Sequence, residues 1–293
     1  TTEIYTLSLH DALPISVEAD ISLQYPSLAT ITDSLSKLWI EAHIRQASFS
    51  KDEIKLFAGS AIPENIDIPN QLNLKAYFSG GIDAFDASVT LNSDFGGATL
   101  LAVLRKNEQF DINLAVLNFD AGKVLRDSLL FGPVSLVAQV QGKGFDMQTA
   151  QVQIMTDVSQ AYFNQYNYQR LSLNGNYSQQ LLEGSVRMRD ENIRVDLDGL
   201  ANLAKGKEAF QYELDLMGID FQALKFMEDD LRVACKVKAD ISGMNPEQIN
   251  GTLNLHDLSI VQNNKSYALE SLALETKNRS EEHTSELQSR ITI

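Results

Sequence analysis

The stretch from Leu171 to Leu200 reads LSLNGNYSQQLLEGSVRMRDENIRVDLDGL and decides the fold class. Apolar and polar residues alternate along most of it, with the apolar positions at Leu171, Leu173, Val186, Met188, Ile193, Val195 and Leu197. A period of two is typical of strands that have one buried face and one solvated face. Arg189-Asp190-Glu191-Asn192 interrupts the alternation and predicts the turn of a hairpin.

The same alternation recurs along the chain, for example from Leu72 to Phe78 and from Phe210 to Leu216. Helical spacing is confined to short pieces, at Ser27–Leu38, Ala121–Arg126 and Phe221–Met227. Strands joined by short turns favour an antiparallel sheet over alternating strands and helices. We therefore expect an all-β fold with a few short helices, in which a mostly antiparallel sheet forms an elongated, curved structure.

Internal similarity predicts that the sheet is built from diverged repeats. Leu72–Gly80 resembles Val134–Gly142 at an offset of 62 positions, and a third copy runs from Leu231 to Gly243. The second and third copies each follow a short Asp-containing segment with helical spacing, and a fainter fourth version covers Asp33 to Ala42. Repeated units of this kind stack into extended arrays rather than closing around one compact core.

The charge balance excludes several classes of partner. The 293 residues include 24 Lys and Arg against 39 Asp and Glu, for a net charge of -15. Nucleic-acid backbones and anionic lipid headgroups both require clustered positive charge, so neither is expected as a ligand. The single cysteine, Cys235, cannot form an internal disulfide.

Both ends of the sequence match translated sequencing adapters. Residues 1–16, TTEIYTLSLHDALPIS, match one widely used short-read adapter, and Arg279–Ser289 within residues 279–293 match its counterpart. Such segments are set aside before the fold is considered. We therefore expect residues 17–278 to form a single elongated repeat domain, as an internal section of a longer protein, and residues 1–16 and 279–293 to be non-native.

No motif in the chain indicates catalysis, a cofactor or a metal. His43 and His256 lie far apart and belong to no Cys or His cluster of zinc-binding spacing. Asp196 and Asp198 share one strand face and could hold a cation, but exposed acids in pairs are more often simply solvated. Cys235 shares an alternating face with Val233 and Val237, which favours a small buried hydrophobe over a nucleophile.

The amount of one-sided apolar surface is the most informative feature. Roughly 20 large apolar side chains fall on one face of the predicted strands. Leaving them all in water would forfeit on the order of 30 to 60 kcal/mol, whereas domains are stable by only about 5 to 15 kcal/mol. The face must therefore be covered, either by the sheet curling on itself or by an apolar ligand.

Several segments resemble the TamB (translocation and assembly module) branch of the AsmA-like proteins of Gram-negative bacteria. The segments that carry this resemblance are Tyr25–Leu28, Ile82–Phe85, Asp94–Ala98, Asn118–Lys123 and Phe131–Val134. The resemblance implies a β-taco-like sheet, U-shaped in section, with an apolar interior. It also implies a periplasmic protein anchored in the inner membrane, active in phospholipid transport or outer-membrane protein assembly, with no enzymatic activity.

On that interpretation, lipid acyl chains are the ligands and an outer-membrane assembly-factor β-barrel is the protein partner, docked through a C-terminal region. The groove is expected to be lined collectively by Leu72, Leu74, Phe78, Leu136, Val140, Leu171, Leu173, Ile193, Val195, Leu197, Leu214 and Leu216. Two alternatives remain open: a structural or adhesin-like β-solenoid or sandwich with a closed core and a protein partner, and a carbohydrate-active β-helix enzyme. The latter would need clustered acids in a cleft.

Overall fold

The computed structural model describes residues 3–9, 16–25, 37–58, 61–63, 65–243, 250–276 and 288–292. The described ranges are mostly strand and contain two short helices, which confirms the predicted all-β, mostly antiparallel class. The strands group into two compact units. Unit 1 comprises residues 1–144 with 160–163, and unit 2 comprises residues 145–159 with 164–293.

Unit 1 is an antiparallel run in which each strand pairs with the next along the chain. Its strands are β1 (Glu3–Leu9), β2 (Ser16–Tyr25), β3 (Trp39–Ser50), β4 (Gln71–Gly81), β5 (Ala84–Ser93), β6 (Gly96–Leu104), β7 (Gln109–Asp120) and β8 (Phe131–Lys143). The strand β9 (Gln151–Phe163) follows, with residues in both units.

Unit 2 repeats the same up-and-down plan. Its strands are β10 (Tyr166–Ser178), β11 (Leu181–Arg189), β12 (Ile193–Asn202), β13 (Ala209–Asp220), β14 (Leu231–Ser242), β15 (Asn250–Gln262), β16 (Lys265–Thr276) and β17 (Gln288–Thr292). The hairpin turn predicted at Arg189–Asn192 is confirmed, since it joins β11 to β12.

The two described helices are short and occupy connections between neighbouring strands. Helix α1 (Lys51–Ala58) was not predicted, although Ser50 and Glu53 form a capping box in which the Ser50 amide donates to the Glu53 carboxylate at 2.6 Å. Helix α2 (Ala121–Leu125) confirms the prediction for that segment. Most of the helix predicted at Ser27–Leu38 falls outside the described residues.

The third predicted helical segment, Phe221–Met227, forms a hydrogen-bonded turn rather than a helix. The Leu224 amide donates to the Asp220 carbonyl, and the Phe226 amide donates to the Phe221 carbonyl. The turn closes around Leu224, whose accessible surface is 0% of its maximum. This single buried leucine fixes the connection between β13 and β14 without a regular helix.

The structure confirms diverged repeats but changes their alignment. Strands β7 and β13 have the same length and lie 209 − 109 = 100 positions apart, and each is interrupted by a register shift, at Val116/Phe119 and at Leu216/Ile219 respectively. Segment Val134–Gly142 therefore does correspond to the copy at Leu231. Segment Leu72–Gly80 lies in β4, whose counterpart is β10, so the offset of 62 does not relate equivalent strands.

The equivalent connections are held by the same hydrogen bonds. In unit 1 the Asp120 amide donates to Phe95, and the Asp120 carboxylate accepts from the Lys123 amide at 3.0 Å. In unit 2 the Asp220 amide donates to Asn192, and the Asp220 carboxylate accepts from the Ala223 amide at 2.9 Å. These aspartates satisfy the free amides at the start of each helical turn. A repeat of six strands is therefore present, first as β4–β9 and then as β10–β15.

Candidate functional site

The apolar face of unit 1 is a set of cross-strand rows on β4–β8. One row runs through Leu74, Leu91, Ala98, Val116 and Leu136, which lie opposite one another on neighbouring strands. Two further rows run parallel to it, through Ala76, Val89, Leu100, Leu114 and Ala138 and through Phe78, Ala87, Ala102, Ile112 and Val140. Side chains that lie directly opposite each other on one face of a sheet are close enough to touch, so the rows form a continuous apolar surface.

The apolar face of unit 2 is likewise a set of cross-strand rows. Its central row crosses seven strands through Leu173, Val186, Leu197, Leu214, Val237, Leu255 and Leu272. Beside it run Leu171, Met188, Val195, Leu216 and Cys235. At about 4.8 Å between strands, the central row spans roughly 29 Å.

The twelve residues predicted to line a groove all fall on these two apolar faces. Leu72, Leu74, Phe78, Leu136 and Val140 lie in unit 1, and Leu171, Leu173, Ile193, Val195, Leu197, Leu214 and Leu216 lie in unit 2. All twelve have intermediate solvent exposure, neither buried nor fully exposed. A closed core would bury side chains of this kind almost completely.

Several members of these faces were missed by the sequence reasoning. In β6 the run Leu100–Leu104 is apolar at every position, so alternation is hidden there and the strand has no recognisable outer face. Leu101 points to the other side of the sheet and is exposed. In β15 and β16, Leu253, Leu255, Leu272 and Leu274 were also omitted, although their alternation was present and could have identified them.

The polar face of unit 2, on the side opposite its apolar face, has cross-strand ion pairs. Arg187 on β11 contacts Asp198 at 2.6 Å and Asp196 at 3.3 Å, both on β12. Lys238 on β14 contacts Glu213 on β13 at 2.9 Å. Asp196 and Asp198, considered above as cation ligands, are therefore paired with arginine. Exposed pairs of this kind contribute little to stability but keep this face hydrated.

Two cavities in unit 2 lie mainly on that polar face. The first, of about 710 Å³, is bordered by side chains that include Asn174, Asn176, Glu183 and Gln211. The second, of about 640 Å³, is bordered by acidic and basic side chains that include Asp215, Lys236 and Lys238. Their walls suit hydrated polar ligands, so these cavities are distinct from the apolar site, which is a sheet face rather than an enclosed volume.

Cys235 lies where the sequence predicted, on the apolar face with Val233 and Val237. Burial, followed by the nearby Asp215 carboxylate, raises the pKa of its thiol. A raised pKa keeps the sulfur protonated and unreactive at neutral pH. The geometry therefore favours the packing role of Cys235 over a nucleophilic one.

At the end of the apolar face of unit 2, a buried carboxylate fixes the turn between β11 and β12. Asp190 is only 2% exposed and accepts hydrogen bonds from the Tyr166 hydroxyl at 2.5 Å and from the Gln169 and Asn192 amides at 2.9 Å each. Burial, followed by the Asp190 contact, raises the pKa of Tyr166 to about 12. The three bonds fix the start of β10 against the turn, which is a structural role.

Within the described ranges, no group of three or more His, Cys, Asp or Glu side chains is arranged to hold a metal ion. None of the described helices is long and apolar enough to span a bilayer. Comparison with known proteins gave no match to a family model, to a curated protein or to a solved structure.

Proposed function

We propose that this chain presents its apolar sheet faces to the acyl chains of lipids, as a periplasmic section of a TamB-like envelope protein. Its role would be to provide a hydrophobic path for lipid transfer between membranes, for outer-membrane protein assembly, or for both. Anchoring to the inner membrane and docking to an outer-membrane assembly factor belong to the same proposal. It assigns no enzymatic activity to the chain.

The observation that carries the proposal is the intermediate exposure of all twelve predicted lining residues. Each of these side chains retains apolar surface that water still reaches. Covering this surface with a hydrocarbon chain would contribute about 25 cal/mol of favourable binding free energy for each Å² removed from water. A continuous row of partly covered leucines and valines therefore favours an apolar ligand over a sheet that is already closed on itself.

The dimensions of the central row in unit 2 also support an acyl ligand. A row of about 29 Å across seven strands is comparable to the roughly 30 Å hydrocarbon thickness of a whole bilayer. One acyl chain, which spans about half of that thickness, would therefore cover part of the row and leave space for the next. The rows consist mainly of leucine, valine, isoleucine, alanine and phenylalanine side chains, so they would select for apolarity rather than for one headgroup.

Site-specific photocrosslinking from the full chain tests this proposal. A photoreactive amino acid at Val195 or Leu197, on the apolar face, should label phospholipid in cell envelopes. Leu200 provides the matched control, because it is a leucine of the same strand on the polar face and is 41% exposed. Labelling at Leu200 equal to that at Leu197 would show that exposure alone decides the outcome, and would count against the proposal.

Lipid extraction provides the second readout. The purified chain should retain phospholipid that mass spectrometry detects after organic extraction. If no lipid copurifies and neither Val195 nor Leu197 labels lipid, the apolar faces have no acyl ligand and the closed-core alternative replaces the proposal.

A further inference from the structure

Three connections of unit 2 lie side by side at one end of its strands. They are residues 145–150 between β8 and β9, residues 178–182 around the turn between β10 and β11, and residues 203–208 between β12 and β13. The Tyr177 hydroxyl at the end of β10 donates to the Met147 carbonyl. The Leu203 amide donates to the Gln180 carbonyl at 2.8 Å. These hydrogen bonds join the three connections into one surface, which we call the loop rim.

The loop rim exposes four large apolar side chains. Phe145 and Met147 retain 64% and 69% of their accessible surface. Leu181 and Leu203 retain 44% and 39%. Single exposed hydrophobic residues are common on proteins, but a group of them on adjoining connections marks a site of interaction. Connections normally run over the surface in contact with water, so these four side chains indicate a partner that is apolar where it meets the rim.

The first connection of the rim, from Phe145 to Ala150, is ordered by its own hydrogen bonds. The Asp146 carboxylate accepts from the Gln148 amide at 2.8 Å. The Asp146 carbonyl accepts from the Thr149 and Ala150 amides at 3.0 and 2.7 Å. Ala150, at the end of this turn, is buried. The turn is therefore fixed, and its two large apolar side chains are held in an exposed position.

The charges of the loop rim are balanced. Lys205 and Lys207 are exposed at the tip of the third connection, and Glu208 beside them has intermediate exposure. A hydrogen bond from the Gly206 amide to the Glu208 carboxylate lowers the pKa of Glu208. Together with Asp146, the rim thus has two basic and two acidic residues, in a chain whose net charge is -15. A neutral surface of mixed charge matches zwitterionic phospholipid headgroups, whereas an anionic membrane would repel the acidic remainder of the chain.

The apolar face of unit 2 extends to the loop rim. Its row nearest the rim contains five side chains that lie opposite one another on β10–β14, namely Tyr177, Leu182, Ala201, Phe210 and Ile241. Leu182 is exposed, and the Tyr177 hydroxyl is bonded to the rim through the Met147 carbonyl. An apolar partner bound at the rim therefore lies next to the apolar face.

We propose that the loop rim inserts into a zwitterionic phospholipid membrane, at the boundary between the headgroups and the acyl chains. The four exposed apolar side chains enter this boundary. Lys205 and Lys207 contact the phosphate groups with their ammonium groups, while their aliphatic parts remain among the apolar side chains. An acyl chain that leaves the membrane then meets the row of Leu182 and Phe210 without crossing water. This last step rests on the proposed function, but the membrane contact does not.

Flotation of the full chain with phosphatidylcholine vesicles tests the membrane contact. Phe145→Ser combined with Met147→Ser should lower the partition coefficient about tenfold or more, because two large apolar side chains no longer leave water on binding. The matched control combines Phe226→Ser with Met227→Ser, which changes the same residue types at the opposite end of β13, where both are also exposed. We expect this control to bind vesicles as the unmodified chain does.

A fluorescent label gives a second measurement that does not depend on the serine variants. Because Cys235 is the single cysteine of the chain, Cys235→Ser combined with either Met147→Cys or Met227→Cys places one environment-sensitive dye at a chosen end of the strands. With vesicles, the emission of a dye at position 147 should shift to shorter wavelength, and that of a dye at position 227 should not.

The proposal is overturned if the unmodified chain does not float with the vesicles, or if both pairs of serine substitutions reduce binding equally. Binding that requires phosphatidylglycerol and disappears in about 1 M salt would overturn it as well, since that result means attraction to anionic headgroups rather than insertion. Vesicle binding without lipid labelling at Val195 or Leu197 would support the membrane contact and reject the acyl route. Labelling at those two positions without vesicle binding would reject the membrane contact of the loop rim and leave the proposed function intact.

Discussion

Asp94 and Asp190 hold equivalent turns in the two copies of the repeat, but Asp190 is buried and Asp94 is exposed. Asp94 accepts from the Asn70 amide and side chain, at 2.9 and 2.8 Å, at the start of β4. Asp190 accepts from the Gln169 amide near the start of β10. In each copy, an aspartate carboxylate thus joins the start of the first strand, β4 or β10, to the turn that follows the second strand. The carboxylate is exposed in the first copy and buried in the second.

This difference predicts unequal costs for removing the two carboxylates. Asp190→Ala leaves the Tyr166 hydroxyl and two backbone amides without their acceptor in a buried site, and we expect a loss of about 3 kcal/mol in the free energy of unfolding. Asp94→Ala should lose less, because water can reach the freed donors. Urea unfolding of both variants measures the difference, and equal losses would contradict the role given to burial.

Stability above pH 10 should depend on Tyr166. Its pKa, about 12 in the folded chain, exceeds the value near 10 of an unfolded tyrosine, so the folded state holds the phenolic proton more tightly. The resulting stabilisation is complete below about pH 10 and is lost as the pH rises towards 12. In urea unfolding at pH 9 to 12, the free energy of unfolding of the unmodified chain should therefore fall towards that of the Tyr166→Phe variant. A stability gap that stays constant through pH 12 would refute this linkage.

Gly96 should not tolerate a side chain. Its φ of 122° lies in the region that favours glycine, and a Cβ atom there would stand 2.4 Å from the Asn118 carbonyl oxygen. We expect Gly96→Ala to cost about 3 kcal/mol through backbone strain and overlap. Gly218→Ala is the matched control, because a Cβ atom at that position would meet no other atom within 4 Å, and we expect a change within about 0.5 kcal/mol. Thermal unfolding of both variants distinguishes the two sites.

Binding of a fluorescent fatty acid should depend on leucines of the apolar face of unit 2 and not on leucines exposed elsewhere on the unit. Leu214→Ser removes the centre of the seven-strand row, with an expected loss of about 1 kcal/mol, or roughly fivefold in the affinity for a fluorescent fatty acid. Leu200→Ser removes an exposed leucine of the polar face and should leave the affinity unchanged. Titration of the probe into each full-length variant gives the comparison. Equal effects of the two substitutions would argue against a ligand on the apolar face.

The limits of the sequence-based predictions appear at particular residues. Alternation identified β10–β13 and their shared face because a strand repeats every two residues. It did not identify the inward positions of β6, since Leu100–Leu104 is apolar on both sides. The helix at Lys51–Ala58 was missed although Ser50 and Glu53 have capping-box spacing. The correct period of the repeat required the register shifts at Val116 and Leu216, which no similarity between short segments could reveal.

By itself, the sequence determined the all-β class and the face on which each predicted lining residue lies, because side-chain direction in a strand is a local property with a period of two. The tertiary structure alone decided which strands are neighbours, how the rows join across them and how much of each side chain water still reaches. These properties depend on pairing between residues on different strands, such as Leu197 and Leu214, which lie opposite each other. The alternation along a single strand does not specify which strand pairs with it, or in which register.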